Sequence, residues 1–324
     1  MDEFLKRGVP RLYRNRPMAD LLAASPGVLK GVTANRVKLL AARHNVRTLS
    51  DLLDRWELDA DLRLRLDPAI VAALWCYVFH PRYDPGPPCR WERLFASAPL
   101  DHYVNHPSGR FRTAFGPVFY RGRLDGAARV LVVGQDPSTD EILAQRNLVG
   151  DAGQKLQRLL NKLGLTRSYV MLNSFVFGIK GQFDAEMEDI AQESPILAYR
   201  HHLFDRVAAT NALQAIFAFG KAARTCLDLW PGHVAFQIIE FTHPSAPDNL
   251  TLPNWNAHLA AAQALVTADP GAQVDLTPYG VAFTPADSVA IPRADLPFGI
   301  PPWHGTHGTR SHRNGDTEIV WEAV

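Results

Sequence analysis

Short runs of apolar residues alternate with helical patterns through the middle of the chain. Branched and aromatic runs predict buried strands over residues 130–133, 169–172, 215–219 and 234–241. Apolar residues three and four positions apart predict helices over residues 153–163, 185–209, 221–229 and 255–266. Strands that alternate with helices favour a parallel sheet that is covered on both faces. The predicted fold class is therefore α/β, a three-layer α/β/α domain with a central four-stranded parallel sheet.

Composition divides the chain into three regions. Residues 1–90 carry helical patterns and end at the helix-breaking run PGPP, residues 85–88. Residues 91–268 hold the alternating strands and helices, and residues 269–324 are rich in proline, glycine and histidine without a helical period. We therefore expect an N-terminal helical region, a central α/β domain and an irregular C-terminal arm. The arm is either packed over a domain or partly disordered.

Composition also narrows the class of protein. The chain is 47% hydrophobic and 21% charged, and its first residues lack the apolar stretch of a secretory signal. Its longest apolar run, residues 69–79, is too short to cross a bilayer. Its three cysteines, Cys76, Cys89 and Cys226, lie far apart and form no paired ligand motif. These features predict a cytoplasmic protein without a membrane segment, a structural zinc site or an iron–sulfur cluster.

Positive charge is concentrated near the N-terminus, although the net charge of the whole chain is only +1. Residues 1–47 contain ten lysines and arginines against three acidic residues. A local excess of this kind suits a phosphate backbone, but it is also typical of a solvated helical face. Charge alone leaves both interpretations open.

Polar residues follow three of the four predicted strands. Asp136 lies in the segment GQDPS at 134–138, Asn173 follows the second strand, and His243 lies in THPSAPD at 242–248. Ligands of parallel sheets bind beside the carboxyl ends of the strands. There a carboxylate can orient water, an amide can bind the edge of a base, and a neutral histidine can stabilise an anionic leaving group. Taken singly, each residue is more often part of a turn or a helix cap.

Taken together, these segments resemble the uracil-DNA glycosylase superfamily. The five matching segments are GQDP at 134–137, LVGDAGQKLQRLL at 148–160, VMLN at 170–173, AIFAFGKAA at 215–223 and HPS at 243–245. The first and last match the two catalytic motifs of these enzymes, and the third resembles their uracil-reading strand. The resemblance covers roughly residues 128–267, and the segments agree in order and spacing.

The resemblance implies a role for each matching residue. Asp136 would activate the water and stabilise the cationic sugar, and His243 would hydrogen-bond uracil O2 as negative charge develops there. Asn173 would bind the N3 and O4 edge of uracil. Main-chain N–H groups of Gln135 and Asp136 would hold O2, and Ser245 would bind a phosphate. The implied enzyme is a monomer that flips uracil out of DNA and hydrolyses its N-glycosidic bond without metal or cofactor, which leaves an abasic site.

Three positions depart from the family pattern in the pocket and the DNA wedge. Ser138 replaces the tyrosine that excludes thymine, and Leu148 replaces the aromatic residue that stacks on uracil. Pro247 stands where a wedge leucine is expected, with Leu250 as another candidate. These departures keep open a glycosylase of broader specificity, acting on hypoxanthine or xanthine. A non-catalytic lesion-binding protein is disfavoured by the intact catalytic residues, and an unrelated nucleotide-binding protein by the lack of a GxGxxG or P-loop motif.

The two terminal regions carry weaker signals. Residues 29–53 resemble a helix-hairpin-helix element, in which Lys30 and Arg36 would contact DNA phosphates. A structural or partner-binding role is the alternative. The tail contains three irregularly spaced histidines without acidic partners, so we expect a packing arm there rather than a metal site. These are His304, His307 and His312.

Overall fold

The structure, a computed structural model, describes residue 84, residues 86–114 and residues 116–297. The chain divides into two units, Met1–Gly86 and Pro87–Val324. The fold described below is that of the second unit. The helix-hairpin-helix element predicted over residues 29–53 and the three tail histidines lie outside the described residues, so their roles stay predictions.

The centre of the domain is a mixed five-stranded sheet in the order β2-β4-β3-β6-β7. The strands are β1 Phe111–Arg112, β2 Arg121–Gly122, β3 Val130–Gly134, β4 Tyr169–Asn173, β5 Gly178–Ile179, β6 Ala215–Phe219 and β7 Ile238–Phe241. β3, β4, β6 and β7 run parallel, as predicted, but β2 pairs antiparallel with β4. The predicted four-stranded parallel sheet is therefore corrected to a mixed sheet, because a two-residue edge strand is too short to leave a periodic pattern.

Helices cover both faces of this sheet. They are α1 Cys89–Ala96, α2 Leu100–Val104, α3 Thr139–Ala144, α4 Asp151–Lys162, α5 Ala185–Gln192, α6 Ser194–Thr210, α7 Lys221–Asp228 and α8 Asp248–Ala264. Successive strand residues point to opposite faces. Leu131 therefore joins the core with α6 and α7, and Val132 joins the core with α4 and α8. Among the described residues, no helix is both long and apolar enough to cross a membrane.

The single helix predicted over residues 185–209 is wrong, because the chain forms two helices separated at Glu193. Pro195 lies in the first turn of α6 and lacks the N–H that a continuous helix would donate to the Ala191 carbonyl. The Arg200 guanidinium donates to that carbonyl instead, at 2.7 Å. The backbone of Glu193 is extended, with ψ of 132°, so the chain turns at this residue.

Two further boundaries differ from prediction. The strand predicted over residues 234–241 is shorter, because Pro231–Ala235 forms a 3-10 helix and β7 begins at Ile238. The helix predicted over residues 255–266 begins earlier and contains Pro253. A proline inside a helix costs about 3 kcal/mol. The packing of α8 against the sheet has to offset this cost, which local sequence cannot show.

The described part of the C-terminal arm, residues 269–297, is irregular apart from two short 3-10 helices and is anchored to the domain. Asp295 is fully buried and accepts hydrogen bonds from Arg121 Nε at 3.0 Å, Arg123 Nη2 at 2.5 Å and the Tyr169 hydroxyl at 2.6 Å. Burial works to raise the pKa of Asp295, but the charges of Arg123 and Arg121 outweigh it and lower the pKa. The arm is therefore tied to β2 and β4.

Candidate active site

The residues that end the parallel strands lie at one edge of the sheet. They are Asp136 after β3, Asn173 at the end of β4, Gly220 after β6 and His243 after β7. From β3 the chain passes to β4 on one side and then crosses to β6 on the other, so the winding direction reverses between β3 and β6. Ligands of such sheets bind where the winding reverses. The structure therefore places the predicted catalytic residues Asp136 and His243 and the predicted base-binding residue Asn173 at one edge of the sheet.

The Asp136 carboxylate is held by two hydrogen bonds and is largely removed from water. Its Oδ1 accepts from the side-chain amide of Gln135 at 2.8 Å, and its Oδ2 accepts from the Ile179 N–H at 2.7 Å. Burial raises the pKa of Asp136 to about 6, against the lowering effect of these bonds and of the Arg112 charge. The carboxylate is thus mostly ionised at neutral pH yet more basic than usual, which suits a group that orients water and takes its proton.

A glycine permits β5 to approach Asp136 closely. A Cβ atom at Gly178 would lie 2.6 Å from the Pro137 carbonyl oxygen. β1 pairs antiparallel with β5, with Arg112 opposite Gly178. This small sheet supplies both the Ile179 N–H that holds Asp136 and the positive charge of Arg112. The sequence analysis missed it, because strands of two residues carry no periodic signal.

The Asn173 amide has a fixed orientation that Asn147 determines. The Asn147 Nδ2 atom donates to the carbonyl oxygens of Phe119 and Met171, at 3.3 and 3.4 Å, so its Oδ1 faces the other way. That Oδ1 accepts from Asn173 Nδ2 at 3.2 Å, and Asn173 Oδ1 therefore points away from Asn147. Because carbonyl oxygens only accept hydrogen bonds, neither amide can be reversed without losing a bond.

Within the described part of the chain, Asn173 Oδ1 is buried without a hydrogen-bond partner. A buried acceptor left unpaired costs about 1–3 kcal/mol, so this atom is well suited to accept from a ligand. Gly134 keeps the space beside it open, since a Cβ atom there would lie 2.5 Å from Asn173 Oδ1 and 3.7 Å from Leu148 Cδ1. The sequence analysis gave Asn147 no role, and its position next to Leu148 was the signal available.

Leu148 lines the same space from a strained turn. Its φ is +54°, a left-handed conformation that is uncommon outside glycine. Glu141 Oε1 accepts from the Leu148 N–H at 2.9 Å, and the Arg121 guanidinium donates to the Leu148 carbonyl. A Cβ atom at Gly153 would overlap that carbonyl. A buried polar network thus positions an aliphatic side chain where the family resemblance implies an aromatic one.

Ser138 is the N-cap of α3 and forms a capping box with Glu141. The Ser138 N–H donates to Glu141 Oε2, and burial raises the pKa of Glu141 to about 7. Ser138 itself is exposed. Capping explains a serine at this position without any contact with a base, so its predicted place in the pocket stays a prediction.

The backbone selects one tautomer of His243. The Ser245 N–H donates to His243 Nδ1 at 3.2 Å, so Nδ1 is an acceptor and the ring proton resides on Nε2. Burial lowers the pKa of His243 to about 4, which keeps the ring neutral at pH 7. Gly220, with φ of +84°, makes room for the ring, since a Cβ there would lie 3.2 Å from the His243 Cβ. A neutral ring with an Nε2–H can donate a hydrogen bond to a developing anion.

The segment after His243 is tied to α8 and presents exposed side chains. Thr251 Oγ1 lies 3.4 Å from the His243 carbonyl oxygen and 3.2 Å from that of Pro247. Ser245 and Pro247 are exposed, and Leu250, in the first turn of α8, is 58% exposed. Single exposed leucines are common on protein surfaces, so the predicted contact of Leu250 with DNA stays a prediction.

Comparison with known proteins locates the site within a family domain. Lys30 and Arg36, the predicted DNA contacts near the N-terminus, lie outside the described residues. A search of curated proteins finds no match. The family model of the uracil DNA glycosylase superfamily matches residues 121–256, a segment that contains Asp136, Asn173 and His243.

Proposed function

Because residues 121–256 form a uracil DNA glycosylase superfamily domain, we propose that this protein is a DNA glycosylase that removes uracil. It flips uracil out of DNA, hydrolyses the N-glycosidic bond and leaves an abasic site. The observation that carries this proposal is the Asn173 amide, which Asn147 holds in one orientation with an unpaired acceptor.

The hydrogen-bonding edge of uracil complements this amide. Uracil has an N3–H donor beside its O4 acceptor, and Asn173 offers its Oδ1 acceptor beside the second proton of Nδ2. Cytosine has an acceptor at N3 and an amino group at C4, so both contacts would be mismatched. Sites built to hydrogen-bond a substrate reject analogues that leave buried groups unpaired by about 10⁴–10⁵. The amide therefore favours uracil over cytosine.

His243 and Asp136 act on opposite sides of the bond that breaks. As the C1′–N1 bond breaks, its electron pair moves to the base, and the neutral His243 donates its Nε2–H to O2, where negative charge develops. The ionised Asp136 stabilises the cationic sugar and orients a water molecule. The water oxygen bonds to C1′, and its proton passes to the Asp136 carboxylate.

The spacing of the strands supports this division of roles. β6 separates β3 from β7, so two interstrand distances of about 4.8 Å place Asp136 and His243 on strands about 10 Å apart. A planar base fits between groups at that separation. Gly220, at the end of β6, carries no side chain that would occupy the gap.

Exposed residues after His243 contact the DNA in this proposal. Leu250 is the wedge that fills the space of the flipped base, and Pro247 at the N-cap of α8 packs beside it. Ser245, which is exposed, binds a phosphate next to the flipped nucleotide. His243 and the proposed DNA contacts thus lie in one short segment of the chain, residues 243–250.

The test is single-turnover excision from oligonucleotides that carry one uracil, thymine, cytosine, hypoxanthine or xanthine, followed by alkaline cleavage at abasic sites. We expect cutting at uracil, and a loss of about 10²–10³ in rate for His243→Ala. Asn173→Ala should lose uracil excision, whereas Gln273→Ala, which removes an exposed amide from the arm, should not. An unchanged rate in both His243→Ala and Asn173→Ala would contradict the proposal.

A glycosylase of broader specificity is the second candidate, because hypoxanthine presents the same pattern to Asn173. Its N1–H donor lies beside its O6 acceptor, as N3–H lies beside O4 in uracil. Leu148 offers a flexible aliphatic wall instead of a flat ring, which places less restriction on the size of the base. Cutting at hypoxanthine at a rate comparable to uracil would select this candidate.

A further inference from the structure

Two histidines and a glutamate from separate elements meet in a group that the proposed reaction does not use. His102 lies in α2, His106 follows that helix, and Glu193 occupies the turn between α5 and α6. His102 Nε2 lies 2.5 Å from Glu193 Oε2, and His106 Nε2 lies 3.1 Å from both Glu193 oxygens. One ligand atom from each residue lies within 4.8 Å of the other two. These three residues are called the His–Glu cluster below.

We propose that the His–Glu cluster binds a divalent transition-metal ion of the zinc class. Two imidazole nitrogens and one carboxylate form a ligand set that Zn²⁺ prefers. Zinc bonds of about 2.0–2.2 Å at tetrahedral angles place neighbouring ligand atoms about 3.3 Å apart. His106 Nε2 lies close to this distance from the Glu193 carboxylate, at 3.1 Å, whereas His102 Nε2 at 2.5 Å has to move away from Glu193 by about 0.8 Å to admit an ion. Among the described residues, no other group of three histidine, cysteine or acidic side chains is gathered in this way.

Ser108 orients the ring of His106. Ser108 Oγ lies 2.7 Å from His106 Nδ1, and the Ser108 N–H also faces that atom, at 3.3 Å. When Nε2 binds a metal, the ring proton moves to Nδ1 and is donated to the hydroxyl, and the longer N–H contact is given up. A hydrogen bond of this kind from the distal ring nitrogen is usual for metal-binding histidines.

Solvent can reach the His–Glu cluster from one side. The His106 side chain is 5% exposed, whereas those of His102 and Glu193 are 33% and 36% exposed. Water can therefore supply the fourth ligand of a tetrahedral ion, and the ion has an entry path. Without an ion, the same residues form a hydrogen-bonded network in which both rings donate to Glu193, and the experiment below distinguishes the two states.

A metal in this cluster stabilises the support of the active site. The His106 ring packs edge-on against Phe111 of β1 at 5.6 Å, and β1 pairs with β5. Ile179 of β5 donates its N–H to Asp136. An ion that links α2 to the α5–α6 turn therefore restrains the strands behind the carboxylate. The metal site is inferred from its ligand set and geometry alone, so it does not depend on the proposed function.

The experiment uses the full chain with its three tail histidines replaced by alanine, so that the tail contributes no metal binding. The substituted residues are His304, His307 and His312. After chelator treatment, Zn²⁺ is titrated by calorimetry, and Co²⁺ is added as a spectroscopic probe. We expect about one ion per chain, a tetrahedral Co²⁺ absorption band and a higher melting temperature with Zn²⁺.

Variants separate metal binding from a hydrogen-bonded network. Ser108→Ala should weaken Zn²⁺ binding roughly 10–100-fold, as expected for a partner of a metal-binding histidine, and His106→Ala should weaken it further. His233→Ala, which removes a histidine elsewhere in the domain, should bind Zn²⁺ as the parent does. If His106→Ala does not fold, Glu193→Gln takes its place, because it keeps a hydrogen-bond acceptor. A folded parent that binds no Zn²⁺, or binding that survives these substitutions, overturns the proposal.

Discussion

Replacing Asp136 with asparagine should stabilise the protein at neutral pH while it stops base excision. Burial raises the pKa of Asp136 from 3.8 to about 6 in the folded chain. A pKa difference of about 2 corresponds to about 3 kcal/mol. Because Asp136 is partly exposed, solvent screening reduces the expected effect to about 1–2 kcal/mol. The folded protein is thus more stable when the Asp136 carboxyl group is neutral than when it is ionised.

The pH dependence of this effect has a definite sign. Since the folded-state pKa exceeds the unfolded value, the carboxyl group favours the folded state below pH 3.8, and this contribution is lost as the pH rises through 6. Asp136→Asn has no carboxylate to ionise. Its free energy of unfolding should exceed that of the parent by about 1–2 kcal/mol at pH 8, and the difference should disappear towards pH 4.

Urea denaturation at pH 4, 6 and 8 measures this difference. The asparagine can still accept from Ile179, and Gln135 can turn its amide to match, so both hydrogen bonds survive the substitution. Asp189→Asn, at an exposed position on α5, is the matched control and should show no such pattern. A variant that is no more stable than the parent at pH 8, or a difference that is constant with pH, would refute the desolvation argument. It would also remove the basis for a carboxylate of raised basicity in catalysis.

Four further predictions follow from the described contacts. The kcat/KM for uracil-containing DNA should rise roughly tenfold from pH 5 to pH 7 as Asp136 ionises. A kcat/KM that does not change over this pH range would contradict the raised pKa of Asp136. Asn147→Ala should lower the selectivity for uracil over cytosine by roughly tenfold or more, because the Asn173 amide is then free to reverse. If the ratio of excision rates for the two bases does not change, Asn147 does not determine the orientation of the Asn173 amide. Asp295→Ala should lower the free energy of unfolding by about 3–5 kcal/mol in urea, since it removes the buried carboxylate that accepts from Arg121 and Arg123. A loss below about 1 kcal/mol would show that the arm is not anchored there. Leu250→Ala should leave stability unchanged but slow excision from duplex more than from single-stranded DNA, and equal slowing on both would argue against a wedge.

Strong local patterns made much of the fold predictable. β3, β4 and β6 are uninterrupted buried runs of five residues, and α4 carries leucines on one face, so each was identified from the sequence nearly to its ends. Errors arose where one residue or a distant contact decided the outcome. Pro195 divides a long apolar pattern into α5 and α6, and packing carries α8 through Pro253. Strands of two residues, such as β2, depend on their neighbours and left no pattern of their own.

The sequence by itself determined which candidate site residues lie together. The order of strands and motifs was enough to bring Asp136, Asn173 and His243 to one edge of a parallel sheet, because hydrophobic periodicity and strand direction are local properties of the chain.

The tertiary structure decided what each of these groups can do. The orientation of the Asn173 amide depends on Asn147, and the raised pKa of Asp136 depends on burial under β5. The His–Glu cluster joins residues 87 and 91 positions apart in the chain. Hydrogen-bond orientation, desolvation and ligand clustering arise from contacts between distant segments of the chain. They therefore cannot be predicted from a local pattern of residues in the sequence.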